Sequence, residues 1–156
     1  KTQPQEVTLV PETLQEVTTQ GGLDVLKNQD KLLERIPLFK EQGIKVSLFV
    51  DPTPKQLEAA AQLKVDAIEL HTGHYSATKG LEQEEELKKI IKMVDLGNKL
   101  GLTVNAGHGL NYENIKAIAQ IKGIYELNIG HSIVSKAIFM GMFEAVSEML
   151  RLIRKG

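Results

Sequence analysis

Cysteine is missing from this 156-residue sequence. That excludes a disulfide framework and every cysteine-based metal site, and it is compatible with a reducing compartment. An excess of one charge is missing too. The 19 basic and 20 acidic residues leave a net charge of −1, so no global basic field gathers nucleic acid or an anionic membrane. No uncharged apolar run reaches the length that spans a bilayer. The opening KTQPQE is polar, does not read as a signal peptide and lacks an initiator methionine, so a trimmed chain or a fragment is expected. Neither a P-loop nor a nucleophile elbow occurs. What remains, 42% hydrophobic and 25% charged residues, is an ordinary globular composition at single-domain length, enough to bury a sizeable core.

Short β-rich runs alternate with helical patterns. The strand candidates are VTLV (7–10), KVSLFV (45–50), DAIELH (66–71), LTVNAG (102–107) and YELNIG (125–130). After the second run, Thr53 is placed to cap a helix, Pro54 suits its first position and Gln56 completes a capping box. After the third, Leu87, Ile90, Ile91 and Val94 fall at helical spacing, with Lys88, Lys89 and Lys92 on the other side. The acidic run 82–86 suits the start of that helix. Asn111 is a good cap for the segment after the fourth run. A helix in 26–42 contains Pro37, which should kink or divide it. The last segment, 132–154, reads as one helix, apolar around much of its circumference and therefore deeply packed or covered by a partner.

Strand–helix alternation implies a parallel α/β sheet, either open and doubly wound or closed as a barrel. No glycine-rich dinucleotide fingerprint follows any strand, which weighs against the open sheet. A barrel takes eight units and typically ~250 residues. Five units in one 156-residue domain would make a partial barrel lacking its N-terminal strands.

All four histidines, His71, His74, His108 and His131, fall at or just beyond the carboxyl end of a strand candidate and outside the predicted helices. In parallel α/β folds ligands bind at that edge. Two of them sit in matching turns, VNAGHGL and LNIGHSI, 23 residues apart. Gly107, Gly109 and Gly130 beside them either make tight turns or let backbone N–H groups approach a ligand closely. A helix N-terminus after such a turn favours phosphate, and in barrels the last two βα loops often form that site. His71 and His74 are separated by Thr-Gly, which speaks against a helical metal pair. Glu69 lies inside an apolar strand with the parity of His71. Pointing inward it is a functional carboxylate, pointing outward a salt-bridge partner beneath a helix, and the face it shares with His71 favours the inward direction. Glu126 shows the same pattern more weakly. Asn105 and Asn128 serve either a site or neighbouring loops. The segment 11–25, with Thr18, Thr19 and Gly21-Gly22, reads as a lid or substrate loop, or as plain surface.

Taken in order, LVPE, QEVTTQGGLDV, VSLFVD, IELHTG, VNAGHGL and ELNIGHSIV resemble the pyridoxine 5′-phosphate synthase family of the vitamin B6 pathway over nearly the whole chain. The resemblance implies a (β/α)8 TIM barrel, of which this chain covers about strands 4 to 8 with their helices. It implies condensation of 1-deoxy-D-xylulose 5-phosphate with 3-amino-2-oxopropyl phosphate to pyridoxine 5′-phosphate, phosphate and water. By motif, His108 matches a proton donor and Glu69 a carboxylate that stabilises a transition state. Thr18 matches a contact to the deoxyxylulose phosphate; Gly109, Gly130 and His131 match contacts to the amino-oxopropyl phosphate. The resemblance further implies no redox cofactor and no required metal, small phosphorylated substrates, a homo-octamer and a cytoplasmic location, with neither nucleic acid nor membrane as partner. The family's first three strands supply another catalytic histidine, a glutamate and phosphate-binding arginines, and no region of this sequence matches them. Two alternatives stand beside it: another phosphate-binding barrel enzyme, or a non-catalytic phosphate-binding or assembly module. No lysine lies at a strand's carboxyl end, which disfavours a Schiff-base aldolase.

Overall fold

The structure, a computed structural model, describes residues 3–11 and 21–154. Five strands form one parallel sheet: β1 (Glu6–Leu9), β2 (Lys45–Val50), β3 (Ala67–His71), β4 (Thr103–Gly107) and β5 (Glu126–Asn128). Their order in the sheet is their order in the chain. A doubly wound sheet reverses direction at a switch point; this one never does, and the strands curl into a half-barrel. Among the described residues seven helices accompany the strands: α1 (Gln29–Lys40), α2 (Pro54–Gln62), α3 (Gly73–Ala77), α4 (Gly80–Lys99) and α5 (Ile115–Ala119) in the connections, then α6 (His131–Met140) and α7 (Met142–Arg154) after β5.

Side chains alternate between the faces of a strand. On the helix-covered face Leu48, Val50, Ile68, Leu70, Val104 and Ala106 are fully buried against Leu57, Ile90, Val94, Ile115 and Ile118. The concave face carries the opposite parity: Thr8, Ser47 and Phe49, then Glu69 and His71, then Asn105 and Gly107, then Asn128. Register sets Phe49, Glu69, Asn105 and Glu126 side by side as one layer, and His71, Gly107 and Asn128 as the next. Polar groups thus accumulate on the inner face toward the carboxyl ends.

Several local expectations fail for identifiable reasons. Pro37 does not divide α1, which runs unbroken for 12 residues. Its ring removes the N–H that would reach the Leu33 carbonyl, and Leu33 and Pro37 both lie on the exposed side, where that carbonyl is open to solvent. Thr53 and Pro54 do begin α2, but no side-chain cap forms there. Gln56 is engaged elsewhere, accepting from the Val25 amide at 2.7 Å and donating to Asp24 at 3.0 Å. It ties the segment before α1 to α2 instead of closing a box. Asn111 caps a turn rather than a helix, accepting from the Glu113 and Asn114 amides at 2.8 and 3.1 Å, and α5 starts only at Ile115. The final segment is two helices, because Gly141 at φ 86° ends α6 in a conformation that suits glycine.

Helix α4 approaches the sheet through Gly97, where a Cβ would stand 2.6 Å from Val104 Cγ2. In an exposed helix Gly→Ala gains about 1 kcal/mol. At this contact overpacking, costing about 1–3 kcal/mol, should win. Gly97→Ala is expected to lower the melting temperature of the full-length protein, and adding Val104→Ala is expected to cost less than the sum of the two single changes. Additive costs in thermal denaturation would contradict the contact.

Candidate active site

The carboxyl ends of β3 and β4 are locked together by one residue. Thr72, fully buried, uses its amide to reach the Gly107 carbonyl at 2.8 Å. Its hydroxyl lies 2.8 Å from the same oxygen and 2.7 Å from the His108 carbonyl. Asn114 Nδ2 donates to the Gly109 carbonyl at 3.2 Å from the far side of the turn. This bracing holds His108 at φ 80°, a conformation non-glycine residues rarely adopt and which costs of order 1–3 kcal/mol. Gly109 follows at φ 76°, and a Cβ there would meet Ser76 Cβ at 2.6 Å. The turn therefore requires glycine at 109 and imposes strain at 108, a placement typical of functional side chains.

Glu69 points to the concave face, as the parity of its strand predicts. Its Oε2 accepts from Asn128 Nδ2 at 2.8 Å, so Asn128 serves the site rather than a neighbouring loop. Gly107 makes room for the carboxylate, since a Cβ there would stand 2.2 Å from Glu69 Oε1. Burial pushes the Glu69 carboxyl above its ordinary value; the bond from Asn128 opposes the rise and the nearby Glu126 charge adds to it. Asn105, 4% exposed in the same layer, leaves its Oδ1 without a hydrogen-bond partner among the described residues.

A cleft of about 1100 Å³ opens at this edge, and Glu69, His108, Gly109, Gly130 and His131 all line it. Thr18, expected to contact substrate, lies outside the described residues, as does Thr19. Helix α6 starts at His131, and Gly130, His131 and Ser132 all line the cleft. Lys136 adds a cation to the same wall, paired with Glu148 at 2.7 Å and seated 3.9 Å over the Tyr112 ring. Gly130 departs from the turn reading. Its φ of −118° is open to any residue, and a Cβ would meet nothing within 4 Å. Glycine at 130 preserves open space at the helix start.

The four histidines do not form one cluster. His108 and His131 line the cleft. His71 packs behind His108, ring centroids 4.9 Å apart, and its Nδ1 lies 3.0 Å from Asp51 Oδ1. His74 and His131 both fall inside helices, contrary to expectation, because α3 begins directly after Thr72 and α6 directly after Gly130. His74 faces Glu86 at 3.5 Å, and that buried carboxylate also takes Lys89 at 2.5 Å, so the acidic run contributes a clamp between α3 and α4. Sequence reading missed Thr72 and Asp51. Asp51 stands just past the carboxyl end of β2, the very position that singled out the histidines, so that rule could have found it. Thr72 carried no signal, since its role depends on a carbonyl 35 residues away.

Comparison with known proteins identifies the family. The pattern of the pyridoxal phosphate biosynthesis protein PdxJ matches residues 1–155. A pyridoxine 5′-phosphate synthase of Rhodopirellula baltica is 48% identical over 153 residues, 98% of this chain and 62% of the relative. Proteins of the same name from a Sulfurihydrogenibium species and from Prochlorococcus marinus are 51% and 53% identical over 150 residues, 96% of this chain, covering 62% and 63% of their own lengths. The chain thus spans about three-fifths of the curated relatives it matches.

The raised Glu69 carboxyl has a consequence for stability. A proton held more tightly in the folded state stabilises it fully below the unfolded value, 4.5, and that contribution is lost as pH rises through the higher folded value. Glu69→Gln removes the titration while keeping an acceptor for Asn128. In the full-length protein it is expected to melt above wild type at neutral pH, the gap closing as pH falls toward the ordinary carboxylate range. A gap that ignores pH in paired thermal scans would contradict the desolvated carboxyl.

Proposed function

The chain belongs to the pyridoxal phosphate biosynthesis protein PdxJ family, and we propose that it supplies the carboxyl-terminal part of a pyridoxine 5′-phosphate synthase. On this reading β1 to β5 correspond to strands 4 to 8 of a (β/α)8 barrel. The enzyme condenses 1-deoxy-D-xylulose 5-phosphate with 3-amino-2-oxopropyl phosphate, releasing phosphate and water. The observation that carries it is the single cleft onto which Glu69, His108 and the start of α6 all open.

Joining the two phosphates into an aromatic ring takes bond formation between amine and carbonyl and between carbons, loss of one phosphate group as inorganic phosphate, dehydrations and proton shifts. Each lost hydroxyl leaves as water only when protonated. His108, presented into the cleft by its braced turn, delivers that proton in the late steps. Glu69 is poorly solvated, so its charge acts strongly on positive charge that develops as amine and carbonyl join. The amino-oxopropyl phosphate is held by Gly109, Gly130 and His131, its phosphate facing the first amides of α6, where the helix dipole and unpaired N–H groups favour an anion. Thr18 contacts the deoxyxylulose phosphate. Proton transfers and dehydrations need neither an electron carrier nor a metal. The reading extends to a cytoplasmic homo-octamer. Helices α6 and α7 expose Ile138, Phe139 and Phe143, Phe139 at 91%, an apolar surface that other copies would cover. Among the described residues no helix is long and apolar enough to cross a membrane.

Two substitutions in the full-length protein test the assignment. His108→Asn should keep the fold and lower turnover by roughly 10²–10⁴. Gly130→Val meets open space, so the melting temperature should stay at the wild-type value while binding of the amino-oxopropyl phosphate weakens and that of the deoxyxylulose phosphate does not. Near-normal single-turnover rates in the first would contradict the role of His108. Equal or absent loss for both ligands in the second would contradict the phosphate cradle.

A further inference from the structure

His71 is absent from the wall of this cleft; it lines a neighbouring cavity of about 610 Å³ together with Asp51, Gly73 and His108, and its ring packs against the His108 ring. The two rings meet edge to face, with centroids 4.9 Å apart. Phe49 lies against both, 5.1 Å from His71 and 6.3 Å from His108. Behind His71 stands Asp51, whose Oδ1 is 3.0 Å from Nδ1 and also accepts the Gly22 amide at 2.9 Å. An Nδ1–H donated to a carboxylate fixes the ring's orientation and leaves Nε2 as its other edge. That edge closes on Gly73. A Cβ at 73 would stand 2.4 Å from His71 Nε2 and 3.1 Å from His108 Cδ2. Only a hydrogen fits between the rings at this point, so the spacing of the pair is set by a glycine on one side and by a carboxylate on the other.

We propose that His71 is a positioning residue for His108: Asp51 fixes the His71 imidazole, and that imidazole, with Gly73 and Phe49, holds the His108 ring in the orientation from which it delivers its proton. The proposal rests on His108 being the acid of the reaction. A general acid works only while its N–H points at the leaving oxygen, and a misplacement of about 1 Å can cost on the order of 10²-fold in rate. The backbone of His108 is braced by Thr72; the His71 pair supplies the matching restraint on its ring.

Three variants of the full-length protein separate this role from others. His71→Asn keeps a donor near the Nδ1 position for Asp51 but deletes the surface against His108. Asp51→Asn keeps an oxygen for both the Gly22 amide and His71 while removing the charge. Gly73→Ala adds one methyl between the rings and alters no titratable group. In His71→Asn and Gly73→Ala, kcat is expected to fall about 10-fold to 100-fold with KM for both phosphates unchanged, and Asp51→Asn should fall less. The His108 ring resonances, assigned by their loss in His108→Asn, should shift in Gly73→Ala and Asp51→Asn in the absence of substrate. That spectrum needs no turnover. An inactive wild type would therefore refute the proposed function while the positioning contact was still measured. Wild-type kcat in His71→Asn and Gly73→Ala, a rise in KM at constant kcat, unmoved His108 resonances, or losses that merely track melting temperature would each overturn the proposal. Should His71→Asn fail to fold, the other two variants decide the matter.

Discussion

The bonds from Thr72 to the carbonyls of Gly107 and His108 are the constraint on which the site depends. They join the turn after β3 to the turn after β4 and hold a histidine in a conformation it would otherwise leave. Replacing the buried hydroxyl by a methyl would remove the one proton these two carbonyls share, at about 1–3 kcal/mol where water cannot reach, while the Thr72 amide still serves Gly107. The strain at His108 is comparable in size, so the brace and the strained turn are matched. Everything that faces the cleft from β4 inherits its position from this junction.

Electrostatics follow from the layers of the concave face. A parallel sheet in chain order sends all five carboxyl ends to one edge. With inner-face parity occupied by Glu69, Asn105, Glu126 and Asn128, that edge carries carboxylates and amides in a partly dry setting. Asn128 satisfies Glu69 and leaves Asn105 Oδ1 as an acceptor without a donor among the described residues. Buried orphan acceptors are uncommon, and this one sits in the row that includes Glu69. Around it the glycines divide by function: Gly107 and Gly109 are required by contacts at 2.2 and 2.6 Å, whereas at Gly130 a Cβ would meet nothing within 4 Å among the described residues, and the helix start stays open.

Much of this was legible in the sequence. Strand–helix alternation gave the five strands, β2 to the residue and the others within a residue or two at most ends, because buried parallel strands are dense in β-branched and aliphatic residues. Parity gave the inward direction of Glu69, and the repeated Asn-x-Gly-His turns gave the place of the cleft. Caps and helix ends were less legible. Gln56 and Asn111 carry the right chemistry for capping but are claimed by the 24–25 backbone region and by a turn, choices that depend on packing across tens of residues. The break at Gly141 was written in a glycine amid apolar residues, and periodicity alone read through it. Thr72 was missed because its role is a set of distances to carbonyls remote in the chain, whereas Asp51 stood at a strand's carboxyl end and was open to the rule that found the histidines.

Backbone amide spectra of the full-length protein titrated with inorganic phosphate test the central claim most directly. The claim is that the strand ends and the start of α6 form one anion-holding catalytic cleft. The account predicts that the amides of Gly130, His131 and Ser132 shift together and saturate, with His108 responding at the same concentration. Saturable binding that leaves those amides unmoved, or shifts confined to another part of the molecule, would contradict it.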